Sequence, residues 1–225
     1  MKQALRALGP VAFASSLSLL GWWWIRVAGR ELPAGGWRSA AADVLLFSAF
    51  ALHHSLFARE RVKDWVARHV PGRLLRSVYV WIASILWFGV IAAWQPVGGL
   101  VFEQTGASAR TVHATVQLAG LWLIAASVGA IDPLELAGIR SRARPAGISA
   151  RGPYRLVRHP LYLGWMLAVF GAGTMTFDRL VFAGLTTIYL IVAVPWEERS
   201  LERAFGDEYE RYKARVRWRM NPYVY

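Results

Sequence analysis

The apolar residues of this chain come in blocks of about 17–20, the length that carries a helix across the hydrocarbon core of a bilayer. The candidate blocks are Pro10–Ala28, Ala40–Ala58, Val78–Gln95, Val112–Ile131, Leu161–Thr176 and Leu180–Trp196. The expected fold is therefore all-α, a polytopic transmembrane helix bundle of about six spans. The last two blocks are short and are joined by Phe177-Asp178-Arg179, which predicts a tight helical hairpin. Short spans depend on their neighbours and on anchoring side chains. The first block runs into WWWIRVAGR without a small-residue cleavage pattern, and more blocks follow, so it does not read as a signal peptide. The chain reads as one domain over residues 1–225. Four spans fill 1–131, and a basic loop, the hairpin and a helical tail fill 132–225.

The charge follows the same frame. Of the 26 Lys and Arg, Arg59, Arg61, Lys63, Arg68, Arg73 and Arg76 lie between blocks two and three. Arg140, Arg142, Arg144, Arg151, Arg155 and Arg158 lie between blocks four and five, and seven more follow Trp196. Basic loops stay cytoplasmic. Six spans with both termini cytoplasmic, in a bacterial-type inner membrane, satisfy that rule. The net charge of +12 is then a match to anionic membrane lipids rather than a sign of nucleic acid. Trp22-Trp23-Trp24, Trp37, Trp94 and Trp196 fall near block ends, as an aromatic belt would.

Several chemistries are excluded. There is no Cys, hence no disulfide, thiolate nucleophile or thiolate metal site. No Gly-rich strand-to-helix loop occurs, which rules out a soluble Rossmann-type enzyme. Gly171 and Gly173 lie inside block five and read as helix packing at most. Of the five His only His53 and His54 adjoin, and none has metal-ligand spacing, so no metal is expected.

Two stretches look amphipathic. ARERVKDWVARHVP puts Val62, Trp65, Val66 and His69 on one side, as an interfacial helix would. In the tail, Leu201, Phe205, Tyr209, Tyr212 and Val216 recur at helical spacing. Asp207 and Arg211 are an i,i+4 pair there, and Gly206 would weaken or bend the helix. Span four should stop at Asp132-Pro133.

The chemistry concentrates in RGPYRLVRHPLYLG and in the Glu pair that ends the last block. Arg155 and Arg158 offer bidentate pairing to an anion. His159-Pro160 opens a helix whose free N–H groups favour negative charge. Tyr154 and Tyr162 add flat, polar-tipped surfaces, and Glu197 and Glu198 can accept hydroxyls or attract a cation. A ligand with a carboxylate, a ribose and a positive centre satisfies them all. S-adenosylmethionine fits that description, and a phospholipid head group fits it less well. The alternative is that Arg155 and Arg158 hold lipid phosphates while the two Glu neutralise them. In block two, His53, His54 and Ser55 are polar groups inside a span. They are either functional or satisfied by a neighbouring helix.

GPYRLVRHPLYLG, a hairpin, then EERSLERAFGDEYERYKARV resembles the integral-membrane methyltransferases related to isoprenylcysteine carboxyl methyltransferase and phospholipid N-methyltransferase. Their pattern G-x-Y-x-x-x-R-H-P-x-Y-x-G, Glu-Glu, F-G-x-x-Y-x-x-Y is filled from Gly152 to Tyr212. LHHSLFARERVKDWVARHVP, LLRSVYVWIAS and AAWQPVGG resemble the bacterial methanethiol S-methyltransferase and NnrU-like branch. The resemblance implies that S-adenosylmethionine binds at the cytoplasmic side, between the turn Gly147, Ile148, Ser149, then Tyr154, the turn His159, Pro160, Leu161, Tyr162, and Glu197 with Glu198. It implies a small thiol or lipophilic acceptor entering from the bilayer. Arg158, Glu198 and either His53 or His54 are the catalytic candidates, a histidine orienting or deprotonating a thiol. Carboxyl methyltransferases of this group carry an Arg about one turn before the Glu pair. Here Ile191-Val192-Ala193-Val194-Pro195 holds none, which favours a thiol over a carboxylate. Two other readings stand beside this one: a haem- or nucleotide-dependent membrane isomerase or reductase, and a non-catalytic NnrU-like membrane factor.

Overall fold

The computed structural model describes residues 2–57, 59–131 and 147–224. In order these form α1 (Lys2–Arg26), α2 (Gly36–Phe57), α3 (Glu60–Ala67), α4 (Gly72–Ala92), β1 (Leu100–Glu103), α5 (Ala107–Ala130), a 3-10 turn (Gly152–Arg155), α6 (Pro160–Phe170), β2 (Thr174–Thr176), α7 (Phe177–Phe205) and α8 (Asp207–Arg215). The chain is mostly helical, as the apolar blocks predict. Among the described residues, α2, α5 and α7 are long and apolar enough to cross a membrane, and Ser77–Ala92 and α6 are shorter apolar helices. By length and composition these helices are those of a membrane protein.

Three expectations need correction. The fold is not purely α, because β1 and β2 pair as a two-stranded sheet within stretches expected to be loop and helix. Phe177-Asp178-Arg179 is not a hairpin turn but the first turn of α7, and the chain breaks earlier, over residues 171–176. The last block does not stop at Trp196 with a separate tail helix after it: α7 runs on through Pro195 to Phe205. The Asp132-Pro133 stop and Arg140, Arg142 and Arg144 lie outside the described residues.

The described residues divide into two compact units. In the first, which holds residues 2–100 and 176–178, a buried carboxylate organises the chain after α4. Asp178 is 1% exposed and accepts the indole N–H of Trp94 (2.8 Å) and the backbone N–H groups of Val97 (3.0 Å) and Gly98 (3.1 Å). Gly98 has φ +77°, and a Cβ there would stand 2.4 Å from Ala34 Cα, so only glycine closes the turn. Asp43 of α2, also buried, accepts the Gln95 backbone N–H at 2.8 Å. Trp23 packs edge-on against Trp94 at 5.1 Å. These two tryptophans are therefore core, whereas Trp22, Trp37 and Trp196 are exposed as a belt requires. In α3, Val66 is buried while Trp65 points outward.

The second unit holds residues 101–131, 147–175 and 179–224 of the described chain. Its axis is the contact of α5 with α6, made through glycines. A Cβ on Gly164 would lie 2.8 Å from Gly120 O and 2.9 Å from Ile124 N. Small residues let two backbones come this close, as membrane helices require. Gln117 donates across the contact to Ala168 O at 2.9 Å. On the other side of α6, Trp165 donates to the Thr186 hydroxyl of α7 at 2.9 Å. The tail stripe packs as expected: Tyr209, Tyr212 and Val216 are buried against Leu201, Phe205, Ile148 and Ala150. Gly206, at φ +50°, breaks the helix between α7 and α8. Asp207 and Arg211 do not pair. Lys213 bridges Glu202 (2.6 Å) and Glu210 (2.9 Å) instead.

The glycine contact makes a controlled prediction. Gly164→Ala forces backbone apart and is expected to cost about 1–3 kcal/mol. Gly184→Ala on α7 meets nothing within 4 Å and should be neutral or stabilising by up to about 1 kcal/mol. Thermal unfolding in detergent separates them, and equal midpoints would refute the close approach as the limiting contact.

Candidate active site

The site grows from the corner that starts α6. Pro153 sits in the 3-10 turn, and Pro160 takes the first position of α6, where its missing N–H costs nothing. Between them the chain is extended enough to pair with the tail. Arg158 N donates to Trp218 O (2.9 Å) and His159 N to Arg219 O (2.7 Å). The tail after α8 thus folds back over the arginine–histidine–proline corner.

Glu198 projects from α7 into this corner and is 4% exposed. Its Oε1 accepts Arg158 Nε at 2.6 Å, and its Oε2 accepts Arg219 Nε at 3.0 Å. His159 Nε2 stands 3.4 Å from the same Oε1. Arg158 spends its Nη1 on the carbonyls of Val216 (2.8 Å) and Arg217 (2.7 Å). The guanidinium that the sequence offers to a ligand anion is therefore held by the protein's own groups, while Arg155 is exposed.

Glu197 has a different setting. Its side chain is 44% exposed, it accepts the Tyr162 hydroxyl at 2.6 Å, and it faces His159 Nδ1 at 3.6 Å. The Tyr162 and His159 rings stack at 5.3 Å with planes 7° apart. Tyr209, buried beside this cluster, has no hydroxyl hydrogen bond of good geometry among the described residues. Burial, then the negative charge of Glu198, raises its pKa above the ordinary range, against the Arg158 charge. Tyr154 is raised too, by burial first and then by Glu197. The Tyr212 hydroxyl donates to Tyr154 O at 2.8 Å. Its pKa is pushed up to about 12, chiefly by burial, with Arg158 opposing and Glu198 adding.

The Gly147–Ser149 turn is tied in from two sides. Ile148 N donates to Glu208 Oε1 (3.0 Å) and the Ser149 hydroxyl to Ala130 O (3.0 Å). Gly147 adopts φ +91°. Leu161 is half-buried and Pro160 buried at the helix start. The structure thus joins Arg158, His159, Tyr162, Glu197 and Glu198 directly, with Tyr154 and the Gly147–Ser149 turn fixed by α8. His53 and His54 belong to the other unit. The His53 ring stacks on Tyr79 at 5.9 Å and touches Phe57 at 4.5 Å, and its Nε2 is buried without a hydrogen bond among the described residues. His54 packs against Phe50 and Tyr79, each at 5.8 Å. Among the described residues no cluster of metal-ligating side chains occurs. Sequence reasoning missed Arg219, Tyr209 and Glu208. Tyr209 lay on the tail stripe, but nothing local marks Arg219 as the second cation on Glu198.

The phospholipid methyltransferase family matches residues 118–208 of the chain. Methanethiol S-methyltransferase 2 of Bradyrhizobium diazoefficiens is 37% identical over 77% of this chain and 70% of its own length. Methanethiol S-methyltransferase 1 of the same organism is 36% identical over 77% of this chain, which spans 64% of that relative's length. The methanethiol S-methyltransferase of Pseudomonas deceptionensis is 33% identical over 82% of this chain and 74% of its own. No solved structure matches the chain. The chain belongs to the methanethiol S-methyltransferase family, a family of membrane methyltransferases.

Two predictions come from the geometry. Glu198→Gln leaves buried guanidinium charge uncompensated and should destabilise by about 3–5 kcal/mol. Glu197→Gln, at a half-exposed carboxylate, should change stability by less than about 1 kcal/mol. Unfolding in detergent reads both, and equal losses would overturn the distinction. Tyr212 has its folded-state value above the ordinary ~10. Its contribution is full below pH about 10 and fades as pH rises toward 12. The thermal midpoint should therefore fall over that window, and less steeply in Tyr212→Phe.

Proposed function

We propose that this member of the methanethiol S-methyltransferase family transfers a methyl group from S-adenosylmethionine to a small or lipophilic thiol at the cytoplasmic membrane face. The observation that carries this reading is the meeting of the arginine–histidine–proline corner with the glutamate doublet around one buried carboxylate. Relatives covering most of the chain are named for methanethiol as the acceptor. The absence of a cation from residues 191–195 agrees with an uncharged acceptor.

The residues present fit the methyl donor. Glu197 offers a half-exposed carboxylate to hydroxyls or to positive charge. The stacked His159 and Tyr162 rings give a flat wall beside it. The Gly147–Ser149 turn, anchored by Glu208, supplies backbone groups at a fixed position. When bound, S-adenosylmethionine supplies a methyl group on a positively charged sulfur. The protein's part is to align it with the thiol and to keep water out. Arg158 and Glu198 act as positioning residues: they fix the corner against the side of α7. We extend the proposal to His53 and His54 on chemistry alone, since an imidazole titrates in the range that suits a thiol partner. Membrane lipids surround the apolar helices.

The test uses detergent-purified protein, methyl-labelled S-adenosylmethionine and methanethiol, with dimethyl sulfide measured in the headspace. Transfer is expected, as is micromolar binding of S-adenosylhomocysteine that His159→Ala weakens at least tenfold. Folded protein that binds no S-adenosylhomocysteine would overturn the reading. His53→Gln, assayed alongside, should raise KM for the thiol without changing that binding.

A further inference from the structure

Along the contact of α5 with α6, the second unit carries a groove of about 300 Å³. Val112 and Val116 of α5 and Leu163, Met166, Leu167 and Phe170 of α6 line it, and no Asp, Glu, Lys or Arg does. A charged ligand would lose its water there without a partner. The groove therefore does not suit S-adenosylmethionine, which carries charge at both its sulfur and its amino-acid end. Its polar lining comes from two side chains, His113 and Asn221.

The groove starts where the donor corner stops. Leu163 follows Tyr162, whose hydroxyl holds Glu197, and its backbone N–H donates to His159 O at 3.2 Å in the first turn of α6. Asn221 lies two residues beyond Arg219, whose carbonyl accepts His159 N. From Leu163 to Gly171, at the far end, the helix rises about 12 Å. There His113 Nδ1 donates to Gly171 O at 3.2 Å, and the Phe102 ring packs against the imidazole at 5.7 Å. A carbonyl oxygen only accepts, so Nδ1 carries the proton and the ring is held in one orientation. His113 is thus a fixed wall at the end of the groove.

A cavity of about 150 Å³ holds one benzene ring. With twice that volume and a length of about 12 Å, this groove takes a chain on the order of eight to ten carbons. Methanethiol would leave nearly all of it empty. We infer that the groove holds the hydrocarbon tail of the methyl acceptor, an unbranched alkyl thiol of about eight to ten carbons. Its sulfur lies at the Leu163 end, beside the donor corner, and His113 sets the chain length. The inference rests on the thiol reading proposed above and names the class of thiol. Each methylene taken from water into the groove favours binding about fourfold. A longer thiol is therefore preferred over methanethiol until its tail meets His113.

The test measures kcat/KM, per free thiol, over the unbranched series from methanethiol to tetradecanethiol, with detergent-purified full-length protein and methyl-labelled S-adenosylmethionine. In the parent, kcat/KM should rise by at least about 100-fold from methanethiol to the optimum and fall beyond decanethiol. Val112→Trp fills the groove from a position 62% exposed and should move the optimum about two carbons shorter. His113→Ala removes the wall and should move it about two carbons longer. A variant that is merely loosened loses rate at every chain length alike, so opposite shifts of the optimum are the readout. Binding of S-adenosylhomocysteine by calorimetry checks that each variant is folded. A parent that gains nothing from chain length, or an optimum that neither variant moves, overturns the inference and leaves the thiol reading standing. So does a groove that keeps a co-purified phospholipid under saturating decanethiol, as read by native mass spectrometry. Transfer to no thiol of any length, by protein that binds S-adenosylhomocysteine, overturns the thiol reading and this inference with it.

Discussion

Everything in the second unit's polar end depends on one buried carboxylate. Glu198 draws Arg158 from the corner before α6, Arg219 from the tail beyond α8 and the edge of His159 onto a single group. Three segments far apart in sequence are thereby fixed to one another. Burying such charges is costly, and their mutual attraction offsets the cost only when every donor and acceptor is met. Here Nη1 of Arg158 reaches the carbonyls of Val216 and Arg217 as well. The cluster's value lies in specifying one arrangement more than in net stability. Because successive residues on a helix project about 100° apart, pinning Glu198 inward also dictates that Glu197 turns toward Tyr162. Two carboxylates in one dipeptide thus receive different partners and different exposure from position alone.

The apolar part of the same unit prepares that corner. Gly120 and Gly164 let α5 and α6 touch through backbone, which sets where the first turn of α6 begins and hence where His159 stands. α8 completes the frame from the other side. Tyr212 holds the carbonyl of Tyr154, and Glu208 holds the amide of Ile148. Glu197, Glu198 and Tyr162 are therefore carried on helices, and the irregular segments that bring Arg158 and Arg219 are held to each other by backbone hydrogen bonds.

Much of this was legible in the chain. Apolar blocks gave the helices, because a stretch of that length and composition has one stable form in lipid. The tail stripe from Leu201 to Val216 gave the buried face of α8, since helical period alone selects those positions. RHP and the Glu pair announced themselves as polar groups at the edge of apolar runs. Other features were misread for physical reasons. Phe177–Arg179 has the polarity of a turn, yet Asp178 is satisfied by Trp94, Val97 and Gly98, so the helix can begin there. Trp23 and Trp94 have belt positions in the sequence but pack on each other in the core. Arg158 looked like a ligand-facing cation until its internal partner was seen.

What the sequence determined by itself was the material: helices of membrane length, a proline-started corner and an acidic doublet, each written in local composition and period. What only the tertiary structure decided was pairing. Arg219 carries no local mark of its role, because an ion pair is a property of two places and becomes visible only when the tail folds over the corner. The same holds for the split between Glu197 and Glu198. Identical side chains differ only through what surrounds them, and surroundings are assembled by contacts that span from Ile148 to Arg219 in the folded chain.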